Sequence, residues 1–359
     1  NSDEKITFTF KTFFVLSSHH VLIIRLSAMG DVAMSVPVIR AFTKQYPNCK
    51  ITVVSKPFLR PLFDGIPNVS FFAAEVTKNH KGIMGLFRLF VELKKQKITH
   101  IADFHNVLRS KILRTLFFLS GKPCMHIDKG RAEKKALTRS NNKIFKQLKT
   151  SHQRYADVLQ KLGYPVDLSK SFSLEKKQIS KNSITITGLK ENTWIGIAPF
   201  AAFKSKIYPL ELMEEVIEKL TSKKIKIVLF GGGKKEITIL NALEKKYHNV
   251  QNIAGKMSFN EELELMRSLD LMISMDSGNA HLAAMQQIKT ITLWGVTHPF
   301  AGFAPFDQPK KYCLVSDIKK YPKIPTSIYG NKVFEGYEDV MKTISPSFIV
   351  KAVMDALED

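Results

Sequence analysis

The sequence predicts an α/β protein of two doubly wound domains that face each other across a cleft. With 359 residues, the chain is long enough for two domains that each have their own core. In its second half, short runs rich in β-branched residues alternate with segments of helical periodicity, and the first half repeats this alternation less regularly. Such alternation is typical of βαβ units around a parallel sheet covered on both faces, where ligands bind beyond the carboxyl ends of the strands.

The individual elements follow from these two periodicities and from the Gly, Pro and Asp residues that end the apolar runs. Strands are predicted at 21–26, 50–55, 69–74, 100–104, 193–199, 226–233, 270–278 and 290–295. Helices are predicted at 32–46, 83–96, 106–119, 209–220, 234–247, 260–269, 278–287 and 345–358.

The polar stretch 167–192 interrupts the alternation and is the candidate linker between the domains. We therefore expect a first domain at 21–180 and a second domain at 181–344. The terminal helix within 345–359 follows a serine cap and is expected to pack back towards the first domain. Residues 1–20 are predicted to be an extension of unknown role, because they lack the clear cleavage site of a signal peptide.

The charge of the chain indicates an anionic partner. Lysine and arginine number 54 against 32 aspartates and glutamates, which gives a formal net charge of +22. Nucleic acid, an acidic membrane surface and a phosphorylated substrate would each be attracted by this excess. The basic residues are spread along the chain without a recognised nucleic-acid-binding motif, so we expect no nucleic-acid partner.

The cysteines and the apolar runs predict the compartment. Cys49, Cys124 and Cys313 lie far apart and form no CxxC pair, which argues against a disulfide scaffold or a zinc site. A reducing cytoplasm fits this pattern. No run of about 18 uninterrupted apolar residues occurs, so no transmembrane helix is predicted.

The segment VLIIRLSAMGDVAMSVPVIRAF, residues 21–42, places Gly30 and Asp31 where a strand is predicted to become a helix. An aspartate at this point satisfies free backbone amides, and its spacing alone favours the role of an N-cap. The alternative role is a general base, because a carboxylate at a helix start stays ionised at neutral pH. The flexible Gly30 would then let a substrate approach the backbone.

A matching junction, MDSGNAHLAA, occurs in the second half. Asp276, Ser277 and Gly278 end a predicted buried strand and open a helix, whose free amides form an anion site. Ser277 could instead act only as a cap. His281, about one turn further on, either contacts a phosphate or packs against the sheet, and packing is favoured.

Two lysines, Lys204 and Lys206, follow the strand 193–198 at the same sheet edge. Such lysines are usually solvated, but next to an anion site one of them could neutralise a diphosphate leaving group. The GGGKKE turn at 231–236 is weak evidence for a phosphate loop, since it matches neither GxxxxGK[ST] nor GxGxxG. No HExxH, DxD pair or His and Cys cluster predicts a bound metal.

Two segments are rich in basic residues and could contact an anionic partner. Segment 128–139 is predicted to be a mobile loop that could hold an acidic acceptor. Segment 82–97 is favoured as a core-packed helix with a solvated edge, and contact with an anionic bilayer is the alternative. On this helix the apolar face is Ile83, Leu86, Phe87 and Phe90, and the cations are Arg88, Lys94, Lys95 and Lys97.

Together, these junctions resemble one family. The segment at 23–42 resembles the amino-terminal signature of the lipopolysaccharide heptosyltransferases, glycosyltransferase family 9, and the segment at 256–299 resembles their carboxyl-terminal signature. The Asp-Ser-Gly, His-Leu-Ala-Ala and Trp-Gly-x-Thr-x-Pro elements occur in the family's order, and the similarity spans roughly residues 21–358. The resemblance implies the GT-B fold, with the acceptor on the first domain, the nucleotide sugar on the second, and no cofactor or metal.

The resemblance also implies roles for single residues. Asp31 matches the proposed catalytic base, which makes that role the favoured one. Lys206 matches the lysine of a Lys-x-Trp-Pro motif that contacts donor phosphate, although Tyr208 replaces the Trp. The residues assigned to donor binding are Gly30, Lys206, Glu236 (near the ribose), Met257 (along the adenine), Asp276, Ser277, Gly278 and His281. Those assigned to acceptor binding are Arg109, Lys129 and Arg131, and the segment 103–110 departs from the family's commoner Asp-x-Gln-Gly.

The implied activity is an inverting transfer of heptose from ADP-heptose to the inner core of lipopolysaccharide, by direct displacement. The acceptor would be Kdo-lipid A or an already heptosylated core. The enzyme would work in the cytoplasm, bound peripherally to the anionic inner membrane of a Gram-negative bacterium. The alternatives are a GT-B transferase that uses another nucleotide sugar for a surface glycan, and a non-catalytic module that binds nucleotide sugars.

Overall fold

The computed structural model describes residues 19–169, 174 and 179–359, and it consists of alternating strands and helices. The strands are β1 (His20–Ile24), β2 (Lys50–Ser55), β3 (Val69–Ala73), β4 (His100–Asp103), β5 (Cys124–His126), β6 (Trp194–Ala198), β7 (Lys226–Leu229), β8 (Val250–Asn252), β9 (Leu271–Met275), β10 (Lys289–Trp294) and β11 (Cys313–Val315). The helices are α1 (Met29–Gln45), α2 (Gly82–Lys94), α3 (Leu108–Leu119), α4 (Arg131–Leu137), α5 (Ser151–Lys161), α6 (Lys181–Thr187), α7 (Leu210–Thr221), α8 (Lys234–Lys246), α9 (Phe259–Met266), α10 (Gly278–Met285) and α11 (Pro346–Glu358).

The strands form two parallel sheets with the same winding, which confirms the predicted fold class. The first sheet has the order β3-β2-β1-β4-β5 and the second has the order β11-β10-β9-β6-β7-β8. In each half, the chain starts at a central strand of its sheet, adds strands outwards on one side, and then returns to add strands on the other side. The reversal opens a crevice between β1 and β4 in the first sheet and between β6 and β9 in the second. Ligands of doubly wound sheets bind at these crevices.

The predicted elements are found, and the elements that the sequence missed are mostly short, apart from the eleven-residue helix α5. Helix α1 begins three residues earlier than predicted, and α4 occupies part of the segment 128–139 that was predicted to be a mobile loop. Helix α6 lies inside the predicted linker 167–192. The predicted extension at 1–20 and the middle of that linker fall largely outside the described residues.

The cores explain why the two sheets face each other. One cluster of buried side chains joins the inner face of the first sheet to helices of the second half, so the halves share a continuous apolar interior. Two further clusters cover the outer faces of the sheets. At the centre, α1 packs along α10, and Arg40 of α1 donates a hydrogen bond of 2.8 Å to the carbonyl oxygen of Met285.

The terminal helix α11 corrects one detail of the expected architecture. It packs on α7 and on the strands β9 and β10, all in the second half of the chain. Its buried residues, Ile349, Val350, Val353 and Ala356, belong to the outer core of the second sheet. The helix was expected to pack back towards the first domain, but its apolar face instead covers the sheet that precedes it in sequence.

One irregular segment of the first half is fixed to the second half. We call residues 138–150 the strap. The Lys143 ammonium donates hydrogen bonds to the carbonyl oxygens of Lys323 (2.6 Å) and Pro325 (3.2 Å). The backbone amide of Leu148 donates to the Phe300 carbonyl oxygen at 2.9 Å, so backbone as well as side-chain hydrogen bonds of the strap join the two halves.

Candidate active site

Asp31 lies in the first turn of α1, directly after the central strand β1. The residue in the N-cap position is Ala28, so the N-cap interpretation of Asp31 is wrong. The carboxylate instead points back towards the N-terminus of the helix. Its Oδ2 accepts a hydrogen bond of 3.3 Å from the Ala28 amide and forms an ion pair of 2.5 Å with Arg25. Both contacts use Oδ2. The carboxylate therefore has a fixed orientation while its other oxygen, Oδ1, remains available to a ligand.

Arg25 is the residue that sequence reasoning missed beside Asp31. It follows β1, is 6% exposed, and donates a hydrogen bond of 2.9 Å to the Phe104 carbonyl oxygen. Its guanidinium also lies over the Tyr155 ring, and its buried Nε has no partner among the described residues. A buried cation held from three sides gives the Asp31 carboxylate a rigid counter-ion.

Lys206 and Asp276 meet at the crevice of the second sheet. Lys206 ends the short 3-10 helix Lys204–Lys206 that follows β6, and Asp276 follows β9. Their ion pair is 2.9 Å long, with side chains 12% and 7% exposed, and Thr297 donates a further hydrogen bond of 2.9 Å to the same carboxylate oxygen. The lysine is thus positioned by a buried carboxylate.

A glycine further along the chain makes room for Lys206. Gly330 has a φ of 84°, and a Cβ atom there would lie 2.5 Å from Cδ of Lys206. A side chain at this position would displace the lysine stem as well as strain the backbone. No local sequence pattern signals this role.

The start of α10 has no side-chain cap. Ser277 occupies the N-cap position, yet its side chain caps no amide and lies 3.2 Å from the Ser274 hydroxyl instead. Uncapped amides at the start of a helix attract anions. The Asp276, Ser277 and Gly278 junction therefore has the local geometry of an anion site.

The two junctions touch each other. A Cβ atom on Gly30 would lie 3.1 Å from Cα of Gly278 and 3.2 Å from Cδ2 of His281. The flexibility of Gly30 suggested that a substrate approaches its backbone, but the residue instead contacts the start of α10. It allows the start of α1 to approach the start of α10, and His281 lies within electrostatic reach of Asp31, Asp276 and Lys206.

His281 is buried between these groups. It is 7% exposed, its Nδ1 has no partner among the described residues, and burial lowers its pKa. Asp276 and Asp31 oppose this lowering of the pKa, whereas Lys206 adds to it. His281 is therefore packed, as favoured, and it also lies within electrostatic reach of both junctions.

The two remaining predicted donor residues lie at the edge of the second sheet. Glu236 in the first turn of α8 accepts a hydrogen bond of 2.8 Å from the Gly232 amide, which closes the glycine turn after β7. Met257 precedes α9, is partly buried, and its sulfur accepts a hydrogen bond from Ser183 of α6 at 3.7 Å. Both residues follow the carboxyl ends of strands, and they therefore lie at the same edge of the parallel sheet as Lys206.

A cavity of about 270 Å³ opens beside Asp31. Its first-half wall includes Lys129, which was predicted as an acceptor contact, whereas Arg109 and Arg131 are exposed and lie outside the lining. Phe303 and Tyr329 of the second half complete the wall. Besides Arg25, the lining contains two cations that were not singled out, Lys134 and Arg154, although Lys134 lies in the segment 128–139 that was predicted to hold an acidic acceptor.

Most of the charged side chains that line the cavity are cations, and their charges help to lower the pKa values of His105 and Lys134. Burial lowers the pKa of His105 to about 3, and the charges of Arg25 and Lys129 add to the effect. Burial also lowers the pKa of Lys134 to about 8. His105 is therefore neutral at any physiological pH, and an anion that entered the cavity would meet cations at several points of its wall.

The described part of the chain contains no group of three or more His, Cys, Asp or Glu side chains arranged to hold a metal ion. None of its helices combines the length and the apolar composition needed to cross a bilayer.

Comparisons with solved structures agree with this architecture. A glycosyltransferase family 9 protein from Veillonella parvula is 20% identical and superposes with a TM-score of 0.73 over 95% of this chain and 98% of that one. The Escherichia coli ADP-heptose lps heptosyltransferase II is 18% identical, with a TM-score of 0.67 over 94% and 98% of the two chains. At these identities the similarity establishes the fold, which is of the GT-B type.

Sequence comparisons establish the family. The chain is 26% identical to the lipopolysaccharide heptosyltransferase 1 of Campylobacter coli, over 94% of this chain and 99% of that protein. It is also 26% identical to the lipooligosaccharide heptosyltransferase 2 of Haemophilus influenzae, over 78% and 84% of the two. The family profile described as glycosyltransferase family 9 (heptosyltransferase) matches residues 86–330. This match covers well over half of the chain, and the chain therefore belongs to glycosyltransferase family 9.

Proposed function

We propose that this glycosyltransferase moves heptose from ADP-heptose to the inner core of lipopolysaccharide, with inversion at the anomeric carbon. The names of its relatives support the substrate class. The observation that supports the proposal is the close approach of Gly30 to Gly278, because it brings the turn that holds Asp31 next to the start of α10, which directly follows Asp276 of the Lys206–Asp276 pair.

In the proposed reaction, ADP-heptose lies on the second half with its diphosphate at Lys206 and the amides of Ser277 and Gly278. An acceptor hydroxyl in the cavity gives its proton to Oδ1 of Asp31 as its oxygen attacks the anomeric carbon. The bond from that carbon to the diphosphate oxygen breaks at the same time, and ADP leaves. Lys206 and the helix amides stabilise the negative charge that grows on the departing phosphate.

Product masses test this proposal. The chain is incubated with ADP-heptose and with UDP- and GDP-sugars, each against lipopolysaccharide truncated before or after the first heptose. We expect a mass gain of one heptose with ADP-heptose alone. A gain from another nucleotide sugar would favour a different surface glycan, and tight donor binding without any transfer would favour a non-catalytic module.

We propose further that helices α2 and α3 carry the protein to the anionic inner membrane surface from the cytoplasmic side. On α2, Leu86 and Phe90 are buried, so the predicted apolar face is divided between the core and the solvent. An exposed apolar patch, the α2–α3 face, remains beside exposed cations. Its members are Ile83, Met84, Phe87, Val91, Leu108, Phe118 and Leu119. Apolar insertion combined with basic side chains is the chemistry of peripheral attachment.

Reversing three cations of this face should weaken membrane attachment. Each basic side chain near an anionic leaflet contributes about 1 kcal/mol, so Arg88→Glu, Lys94→Glu and Lys95→Glu together should reduce binding to anionic vesicles at least tenfold. Salt should release the wild-type chain in the same assay, and neutral vesicles should bind it little. Activity on a vesicle-embedded acceptor should fall, while activity on a deacylated, soluble acceptor survives.

A matched control reverses exposed lysines in the second half, Lys219, Lys223 and Lys245, which changes the net charge equally. This control should keep vesicle binding close to that of the wild type. Equal losses in both triple variants would mean that net charge alone, and not the α2–α3 face, determines attachment.

A further inference from the structure

Lys134 is a largely buried lysine whose ammonium group has no ionic partner among the described residues. Lys134 lies in α4, is only 9% exposed, and its Nζ sits 4.3 Å from the centre of the Phe303 ring. Among the described residues, no hydrogen bond or ion pair reaches this ammonium, which lines the cavity beside Asp31. A desolvated lysine ordinarily requires a counter-charge, so the geometry indicates that an incoming anion supplies one.

The neighbouring carboxylates are already engaged. Glu133, on the same helix, forms an ion pair with Arg154 of α5, and Asp31 of α1 forms its ion pair with Arg25. Lys129, on the loop before α4, adds another cation to the lining. The cavity therefore holds an excess of positive charge that its own acidic groups do not neutralise.

We propose that Lys134 is a specificity-determining residue that binds an oxyanion, either carboxylate or phosphate, on the acceptor glycan next to the hydroxyl presented to Asp31. This inference rests on the proposed function, since it takes the cavity as the acceptor site. The aromatic ring of Phe303 comes from the second half, so this subsite is complete only when both halves contribute.

The subsite couples acceptor binding to a proton. The pKa of Lys134 is lowered to about 8, chiefly by burial and also by the charges of Arg154 and Lys129, while Asp31 and Glu133 oppose this lowering. Phe303, packed from the second half, carries no charge. A bound oxyanion favours the ammonium form and raises this pKa. Acceptor affinity should therefore be constant below pH 8 and fall as the pH rises above 8, because binding then requires the uptake of a proton.

Calorimetry with a deacylated, heptose-free lipopolysaccharide core tests the subsite without any transfer step. Lys134→Met should weaken binding of this acceptor at least tenfold, Lys134→Arg should keep most of the affinity, and ADP affinity should be unchanged in both. Acceptors with reduced carboxyl groups and acceptors with phosphates removed identify the oxyanion. Wild type and Lys134→Met should bind with equal affinity only to the acceptor that lacks the group contacted by Lys134. Equal affinity of wild type and Lys134→Met for the intact acceptor would overturn the proposal.

A second measurement does not depend on the acceptor's identity. Lysines are labelled by ¹³C-methylation, and the Lys134 resonance is assigned by its loss in Lys134→Arg. Addition of free Kdo or of inorganic phosphate should move its titration midpoint upwards by at least half a pH unit. A midpoint that neither anion moves would refute the oxyanion subsite even if heptose transfer occurs, whereas a shift without any heptose transfer would refute only the proposed function.

Discussion

Asp31→Asn should lower the turnover number about 10²- to 10⁴-fold, the usual contribution of a general base. The amide keeps the shape of the side chain and can still contact the Ala28 region, but it cannot take a proton from the acceptor hydroxyl. ADP affinity should stay within a few-fold of wild type, because Lys206 and the start of α10 are untouched. Turnover and ADP binding are measured on the same preparation.

The ion pair with Arg25 adds a structural effect to this substitution. Removing the carboxylate leaves a buried guanidinium uncompensated, so we expect a lower melting temperature. The loss should remain below the roughly 3–5 kcal/mol of a fully buried pair, because Asp31 is 35% exposed.

Glu133→Gln is a matched control for that effect. Glu133 is 39% exposed and pairs with an arginine that is 6% exposed, closely similar to the Asp31–Arg25 pair. This variant should lose stability to a similar extent yet keep its turnover number within tenfold at saturating acceptor. If both variants lost turnover equally, Asp31 would be a structural residue and the assigned base would be wrong.

Lys206→Ala should weaken ADP binding at least 100-fold and adenosine binding less than threefold. The variant removes the cation that we propose faces the diphosphate, and it leaves the buried Asp276 carboxylate without its partner, so attraction would be replaced by repulsion. Calorimetry with ADP, ADP-heptose and adenosine measures the difference.

Two further variants separate these causes. Lys204→Ala removes an exposed lysine from the same 3-10 helix and should leave all three affinities unchanged. Adding Asp276→Asn to Lys206→Ala should recover part of the lost ADP affinity, because the uncompensated carboxylate is gone. Equal losses for ADP and adenosine in Lys206→Ala would mean that Lys206 does not contact the diphosphate.

Much of the fold could be predicted because long apolar runs have strong periodicity. The buried strands β6, β9 and β10 and the helices beside them were predicted to within a few residues. Elements of three residues, such as β5 and β8, carry too little alternation to be detected. Helix α4 was also missed, because seven mostly charged residues show no clear apolar face until Phe303 packs against them.

The sequence allowed us to predict the residues at the strand-to-helix junctions of the candidate site, but not the side chains that contact them. Asp31 and Asp276 stand at visible changes of periodicity, which is why the sequence singles them out. Arg25 and Lys134 look like ordinary surface cations, since their burial depends on contacts made from distant parts of the chain. Gly330 is informative only once Lys206 is placed beside it.

The strap has a consequence for the construction of chimeric enzymes. A chimera that combines the two halves of different relatives could be joined at the linker. The cavity beside Asp31 is lined in part by Phe303 and Tyr329 of the second half, and the strap donates hydrogen bonds to the carbonyl oxygens of Phe300, Lys323 and Pro325. A crossover at the linker would separate these partners. Residues 128–150 and 298–330 should therefore be inherited from one parent, as a single unit, whichever parent supplies the remaining sequence.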